Sequence, residues 1–145
     1  MIFIISSIIL SLDQLSKFLI IKYFSPYESL PLIKGIFHLS LVHNRGAAFG
    51  ILKNQVFVFI VTALIAIILI FLHLFKQRKK KFSLYSLSLG LIFAGASGNL
   101  IDRICFGYVI DFFDFRIWPV FNIADSSITI GAILLGWSVL ITKKR

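Results

Sequence analysis

Acid is in short supply in this chain: Asp13, Glu28, Asp102, Asp111, Asp114 and Asp125 are its 6 acidic residues, against 15 Lys and Arg. Cysteine is scarcer. Cys105 stands alone, so no intrachain disulfide is possible, and no base is tied to it by spacing, which makes it a packed or interfacial residue rather than a nucleophile. The histidines, His38, His43 and His73, form no Cys/His cluster and no HExxH motif, so no metal centre is expected. His38 and His43 fall on an expected strand, facing opposite ways, and His73 sits beside a basic run. Phosphate-binding glycine loops and a serine nucleophile elbow are missing, as is the Gly-x-Gly-Asp motif of one class of intramembrane protease. No repeat, inverted symmetry or low-complexity tract beyond the basic run is visible, and nothing calls for a cofactor.

Apolar residues dominate what is present. They make up 59% of the chain, with mean hydropathy +0.97, so its solvent is mostly lipid and one compact membrane domain over 1–145 is expected. A bilayer core takes about 20 apolar residues per helix. Runs of that length lie at approximately 2–21, 55–75, 82–104 and 121–142, which predicts an all-α membrane protein of four transmembrane helices. The first has no basic n-region and is too long for a signal peptide, so it is expected to remain as a span.

Net charge is +9, but the cations are concentrated in Lys76, Arg78, Lys79, Lys80 and Lys81 and in Lys143, Lys144 and Arg145. That pattern fits cytoplasmic anchoring and membrane lipids rather than nucleic acid. It places the loop between the second and third spans, and both termini, in the cytoplasm. Residues 22–54 and 105–120 are then left outside. Tyr23, Tyr27 and Trp118 fall at the outer boundaries as an aromatic belt would. Between spans one and two, Leu32 to His43 shows partial alternation, which predicts a small extracytoplasmic β-rich segment. It ends in Asn44-Arg45-Gly46-Ala47-Ala48-Phe49-Gly50, where small residues permit tight turns and close approach of an extended ligand.

The acids and their neighbours carry the chemistry, because ionisable groups near a bilayer mark sites or pathways. Asp13 and Lys17 are four apart on one helical face, with Gln14 in reach of Lys17, and form a supporting ion pair. Gly90, Ala94, Gly95 and Gly98 give the third span a surface that admits another helix closely. Asn99 shares a face with Asp102 and Arg103. These form either a polar clasp, with Asp102 neutralised by Arg103 or Arg45, or a substrate site whose Asn99 and Arg103 donate to backbone carbonyls. Asp111 lies in the second outer segment, and Asp125 about one turn into the fourth span, with Pro119 and Asn122 near its start. If the loop folds back, two carboxylates meet at the outer surface, one keeping a proton and the other acting as base towards water and a peptide carbonyl. The N-terminus of the fourth helix favours an ionised Asp125 and so hints at Asp111 as holder of the resting proton, but a coupled pair titrates as a unit and the sequence leaves the holder open. Asp114, one helical turn from Asp111, rivals it, and spacing alone does not select the pair.

The blocks Asp13-Gln14-Leu15-Ser16-Lys17, Asn44 to Phe49, Gly98-Asn99-Leu100-Ile101-Asp102-Arg103, Val109-Ile110-Asp111-Phe112 and Phe121-Asn122-Ile123-Ala124-Asp125 follow in order over almost the whole chain. Together they resemble the bacterial lipoprotein signal peptidases, or signal peptidase II. The resemblance implies an aspartic endopeptidase, without cofactor, that removes the signal peptide of a diacylglyceryl-modified prolipoprotein before its lipidated cysteine. It implies a catalytic pair Asp111 and Asp125, substrate-binding Asn44, Asn99, Arg103 and Asn122, and supporting roles for Asp13, Lys17 and Gly46. It further implies a monomer in the bacterial cytoplasmic membrane, active on its outer face and inhibited by cyclic peptides of the globomycin type. Two departures stand out: Ala94-Gly95-Ala96 where the family often has consecutive glycines, which bears on helix packing, and a short stretch from Asp111 to Asp125, which bears on substrate preference. The rivals are a small transporter relaying cations through Asp13 and Asp125, and an adaptor binding anionic lipid by its basic loop.

Overall fold

The computed structural model describes residues 1–46, 55–79 and 81–143. Ala47 to Gly50, Lys80, Lys144 and Arg145, part of the small-residue and basic motifs above, lie outside the described residues. The elements run α1 (Ile2–Tyr23), β1 (Ser29–Ile33), β2 (Phe37–Asn44), α2 (Val56–Lys76), α3 (Leu84–Phe106), β3 (Val109–Asp114) and α4 (Ile123–Lys143). All 4 helices are long and apolar enough to cross a membrane, and each begins within about two residues of its expected position.

The most apolar helix, α2, buries only Leu74, so its surface is solvated by lipid. By contrast α3 is the central helix, packed against α1, α2 and α4. Its small residues allow this, since in lipid helices associate through close packing and hydrogen bonds. A Cβ on Gly95 would fall on the carbonyl oxygen of Ala124, and one on Gly98 would fall on the Asp13 carboxylate. Ser6 Oγ donates to the Gly90 carbonyl at 2.9 Å, and Ser127 Oγ to the Leu91 carbonyl at 2.8 Å. The backbones of α1 and α4 are thereby tied to α3.

Ser83 starts α3 with a reciprocal capping box to Ser86. Gly107 ends it in the left-handed region at φ 76°, its N–H donating to the Arg103 carbonyl. The chain therefore reverses within three residues and enters β3, which lies against the end of the helix it has just left.

The sheet is a three-stranded antiparallel one in the order β1-β2-β3. Here the structure adds to the expectation: the β-rich segment is not confined to the stretch between the first two helices, because its third strand comes from between α3 and α4. In register, Val42 faces Asp111 and Asn44 faces Val109. Ile20, Leu41, Ile110 and Phe112 form the buried cluster that seats the sheet on α1. β3 is buried nearly throughout, so it shows an apolar run rather than the alternation of a half-exposed strand.

Candidate active site

Four segments converge at the end of the bundle beneath the sheet. Asn122 precedes α4 and caps it: its Oδ1 accepts the Asp125 backbone N–H at 2.8 Å, and Asp125 Oδ2 reaches back to the Asn122 N–H at 3.4 Å. The local sequence thus caps α4 and sets Asp125 in its first turn. The Asn122 side-chain amide donates to Asp111 Oδ1 at 2.7 Å, to the Ile110 carbonyl at 3.2 Å and to Asn99 Oδ1 at 3.1 Å. Asn99 Nδ2 donates to Asp125 Oδ1 at 2.7 Å. From the strand side, Asn44 Nδ2 donates to Asp111 Oδ2 at 2.9 Å, while Asn44 Oδ1 accepts from the Gly46 N–H at 2.9 Å. Asp111 and Asp125 are therefore joined through two asparagines.

A buried cation fixes the orientation of those amides. Lys17, 2% exposed, places Nζ 2.8 Å from Asp13 Oδ2, 2.8 Å from Asp102 Oδ2 and 3.1 Å from Asn99 Oδ1. Because Asn99 Oδ1 receives both Lys17 and Asn122, its amide nitrogen must face Asp125. The two carboxylates also hold backbone: Asp13 Oδ1 accepts from the Ala124 N–H at 2.9 Å, and Asp102 Oδ2 from the Ile110 N–H at 3.1 Å. One ionic cluster thus positions α1, α3, β3 and α4 around the Asp111 and Asp125 carboxylates.

Several expectations are corrected here. Asp102 is neutralised by Lys17 across the helix interface, and neither Arg103 nor Arg45 is its partner. The reason is topological: α1 and α3 press together at Gly98, which brings Lys17 to a carboxylate far away in sequence. Gln14 does not bond Lys17 but donates to both carboxylates and to the Gly98 carbonyl. Asp114 is not a helical turn from Asp111. Both lie on a strand, three apart, and so point to opposite faces. Asp114 accepts from Ser40 Oγ, the Arg116 N–H and the Arg116 guanidinium. Its burial would raise the carboxyl, but those donors outweigh that and hold it below its usual range.

Asp111 behaves in the opposite way. Burial, and then the nearby Asp125 charge, push its carboxyl up to about 8, although Asn44, Lys17 and Asn122 pull the other way. A carboxylic acid that keeps its proton near neutrality, bonded into a network with a second carboxylate, is the arrangement required of an acid–base pair.

A cavity of about 530 Å³ opens beside the pair, walled by Asn44, Asn99, Arg103, Asp125 and by apolar side chains including Val109 and Phe121. Its size and its few polar groups on an apolar lining suit a short peptide segment. The Arg103 guanidinium lies over the Phe59 ring at 4.8 Å, with one long bond to the Asn99 carbonyl at 3.5 Å. Among the described residues Arg103 donates no other hydrogen bond, which leaves donors for a ligand. Phe59 in this role was missed by the sequence reading, whereas Gln14 was named there with a different partner. Gln14 has a signal in its place beside Asp13, whereas Phe59 sits among many other aromatics of α2 and has none. Among the described residues, no three His, Cys, Asp or Glu side chains converge as metal ligands.

A family model described as Signal peptidase (SPase) II matches residues 5–141. The chain belongs to that family. Among similar signal peptidases, the lipoprotein signal peptidase of Halothermothrix orenii is 51% identical over 135 residues, 93% of this chain and 92% of the relative. That of Moorella thermoacetica is 52% identical over 135 residues, 92% and 89% of the two chains. A solved structure, described as a bacterial membrane enzyme obtained by the in meso method at 2.3 Å, superposes with TM-score 0.88 at 33% identity, over 97% of this chain and 87% of that one. As a signal peptidase II, the chain is a multi-pass membrane protease.

Proposed function

We propose that this peptidase removes the signal peptide from diacylglyceryl-modified prolipoproteins, cutting before the lipidated cysteine, with Asp111 and Asp125 as its catalytic pair. The observation that carries the assignment is the Asp111–Asn122–Asn99–Asp125 chain of hydrogen bonds, which runs from Asn99 and Asp125 on the cavity wall to the buried Asn122 and Asp111 behind it, with Asp111 retaining its proton. Asp125 borders the cavity and takes a proton from water as the oxygen attacks the scissile carbonyl, while the Asp111 proton passes to the carbonyl oxygen. The resulting gem-diol collapses: Asp125 returns its proton to the leaving nitrogen, the C–N bond breaks, and one hydroxyl proton restores Asp111. Asn44, Asn99, Arg103 and Asn122 hold the extended substrate and the two carboxylates in line. Gly46 supports this by fixing Asn44 through its backbone N–H, and Asp13 and Lys17 support it through the buried cluster.

Depth and orientation support the same reading. α3 has 23 residues, so its start beside the basic turn and its end beside the site are separated by roughly 30 Å, a bilayer's hydrocarbon thickness. With Lys76, Arg78, Lys79 and Lys81 in the cytoplasm, the site faces the outer surface of the cytoplasmic membrane, where a diacylglyceryl anchor holds its cysteine at headgroup level. The site groups named here all lie within residues 5–141, the stretch the family model matches, which supports one peptidase unit over 1–145 acting as a monomer. A globomycin-type cyclic peptide competes for the same cavity.

The test is cleavage of a diacylglyceryl-modified prolipoprotein by the purified chain in detergent, with the products identified by mass. The expected result is one cut, directly before the modified cysteine, and loss of cleavage when the same precursor carries no lipid. Equal cutting of both precursors, or a cut elsewhere, contradicts the assignment.

pH gives a second expectation. The acid role of Asp111 needs its proton, so cleavage is expected to decline as pH rises through about 8. The stability sign agrees. The folded protein holds a proton that the unfolded chain releases at about 3.8, so stability is full below that value and is lost as pH rises towards about 8. Thermal unfolding in detergent at acidic and alkaline pH, with Asp111→Asn as the variant that flattens the trend, checks it.

A further inference from the structure

The basic turn between α2 and α3 plays no part in the proposed cleavage. At the end of the bundle away from Asp125, a cavity of about 270 Å³ opens where the start of α1, the end of α2 and the start of α3 meet. Ile2, Phe3, Leu74 and Phe82 give it an apolar wall, and Arg78 and Lys81 give it two cations.

Among the described residues, those cations have no carboxylate to neutralise them. No acidic residue occurs between Glu28 and Asp102 or after Asp125, and Asp13, halfway along α1, is occupied by Lys17. The ion pairs among the described residues are those of Lys17 with Asp13 and Asp102 and of Arg116 with Asp114, all away from this end. Arg78 is nonetheless held in place: its Nη1 donates to the Phe75 carbonyl at 2.8 Å, and its guanidinium lies 3.9 Å over the Phe75 ring. One donor engaged and the plane fixed leaves further N–H groups for an anion.

Cations without counter-ions, beside an apolar wall, at the end of a transmembrane bundle, match a phosphodiester attached to acyl chains. We propose that this cavity binds the headgroup phosphate of an anionic phospholipid. Arg78 and Lys81 donate to the phosphate oxygens, and Ile2, Phe3 and Phe82 take the first acyl carbons. Two basic groups acting on an anionic headgroup correspond to a preference of about thirtyfold over a zwitterionic lipid.

The test is native mass spectrometry of the whole chain released from detergent with equal amounts of phosphatidylglycerol and phosphatidylcholine. The expected result is a single retained phosphatidylglycerol, a preference cut by about tenfold or more in Arg78→Gln/Lys81→Gln, and unchanged cleavage in zwitterionic detergent. Lys79→Gln, an exposed neighbour off the cavity wall, is expected to keep the preference. Equal retention of both lipids overturns the proposal. So does a loss in Lys79→Gln as large as in the double variant, which would mean diffuse surface charge. Displacement of the lipid by inorganic phosphate as effectively as by added phosphatidylglycerol would make the ligand a free anion, and also overturns it.

Discussion

Replacing Asp125 by Asn is expected to lower kcat by about 10²–10⁴-fold while leaving the fold intact, the range associated with losing a positioned acid–base group. The fold should survive because the new side chain has the same shape and keeps one oxygen for Asn99 Nδ2, giving up only the long bond from the Asn122 backbone N–H at 3.4 Å, while the cap bond from the residue-125 N–H to Asn122 Oδ1 is untouched. What disappears is the ability to take a proton from water. Asn44, Asn99 and Arg103 remain on the cavity wall, so KM should change little. The double variant with Asp111→Asn should be scarcely slower than either single one, since the two carboxylates act as a unit and such effects are not additive. Turnover of a lipidated peptide, measured beside thermal unfolding, checks this. A rate within tenfold of wild type, or a double variant slower by the product of the two single effects, would sink the dyad.

Lys17→Met should be the most destabilising change in the molecule. Lys17 is fully enclosed and neutralises Asp13 and Asp102 at 2.8 Å each. Its removal leaves two uncompensated buried carboxylates, which costs about 3–5 kcal/mol. Those carboxylates hold the Ala124 and Ile110 N–H groups, so the damage should spread to the first turn of α4 and to β3. Any folded fraction should also turn over slowly, because Asn99 loses the partner that aims its amide at Asp125. Denaturant unfolding in mixed micelles measures the first effect and kcat the second. A loss below about 1 kcal/mol would mean that the cluster is no more than a surface-type pair.

The spans were legible in the sequence because lipid imposes a length and composition on a helix that few other environments demand. The tight approach of α1 and α4 to α3 was legible from Gly90, Gly95 and Gly98. β3 was not. Val109-Ile110-Asp111-Phe112-Phe113-Asp114 is covered on both sides, so it lacks the period of two that marks a half-buried strand. The same omission left Asp114 as a rival to Asp111, since on a helix the two share a face and on a strand they do not. Spacing also gave Asp102 the wrong partner: Arg103 and Arg45 are near in sequence or motif, whereas Lys17 reaches it only once two helices have packed. The ordered motif blocks pointed to Asp111 and Asp125 where spacing could not. The geometry adds a physical reason, an asparagine-bridged pair with a buried, proton-retaining member.

The most direct test of this account is a side-by-side assay of prolipoprotein cleavage by wild type, Asp111→Asn and Asp114→Asn at neutral pH in one detergent, each first shown to be folded. The two positions share a strand and differ in the face they occupy. The account predicts that Asp114→Asn cuts at a rate near that of wild type and that Asp111→Asn leaves the precursor intact. Cleavage by Asp111→Asn, or a folded Asp114→Asn as inactive as Asp111→Asn, would contradict it.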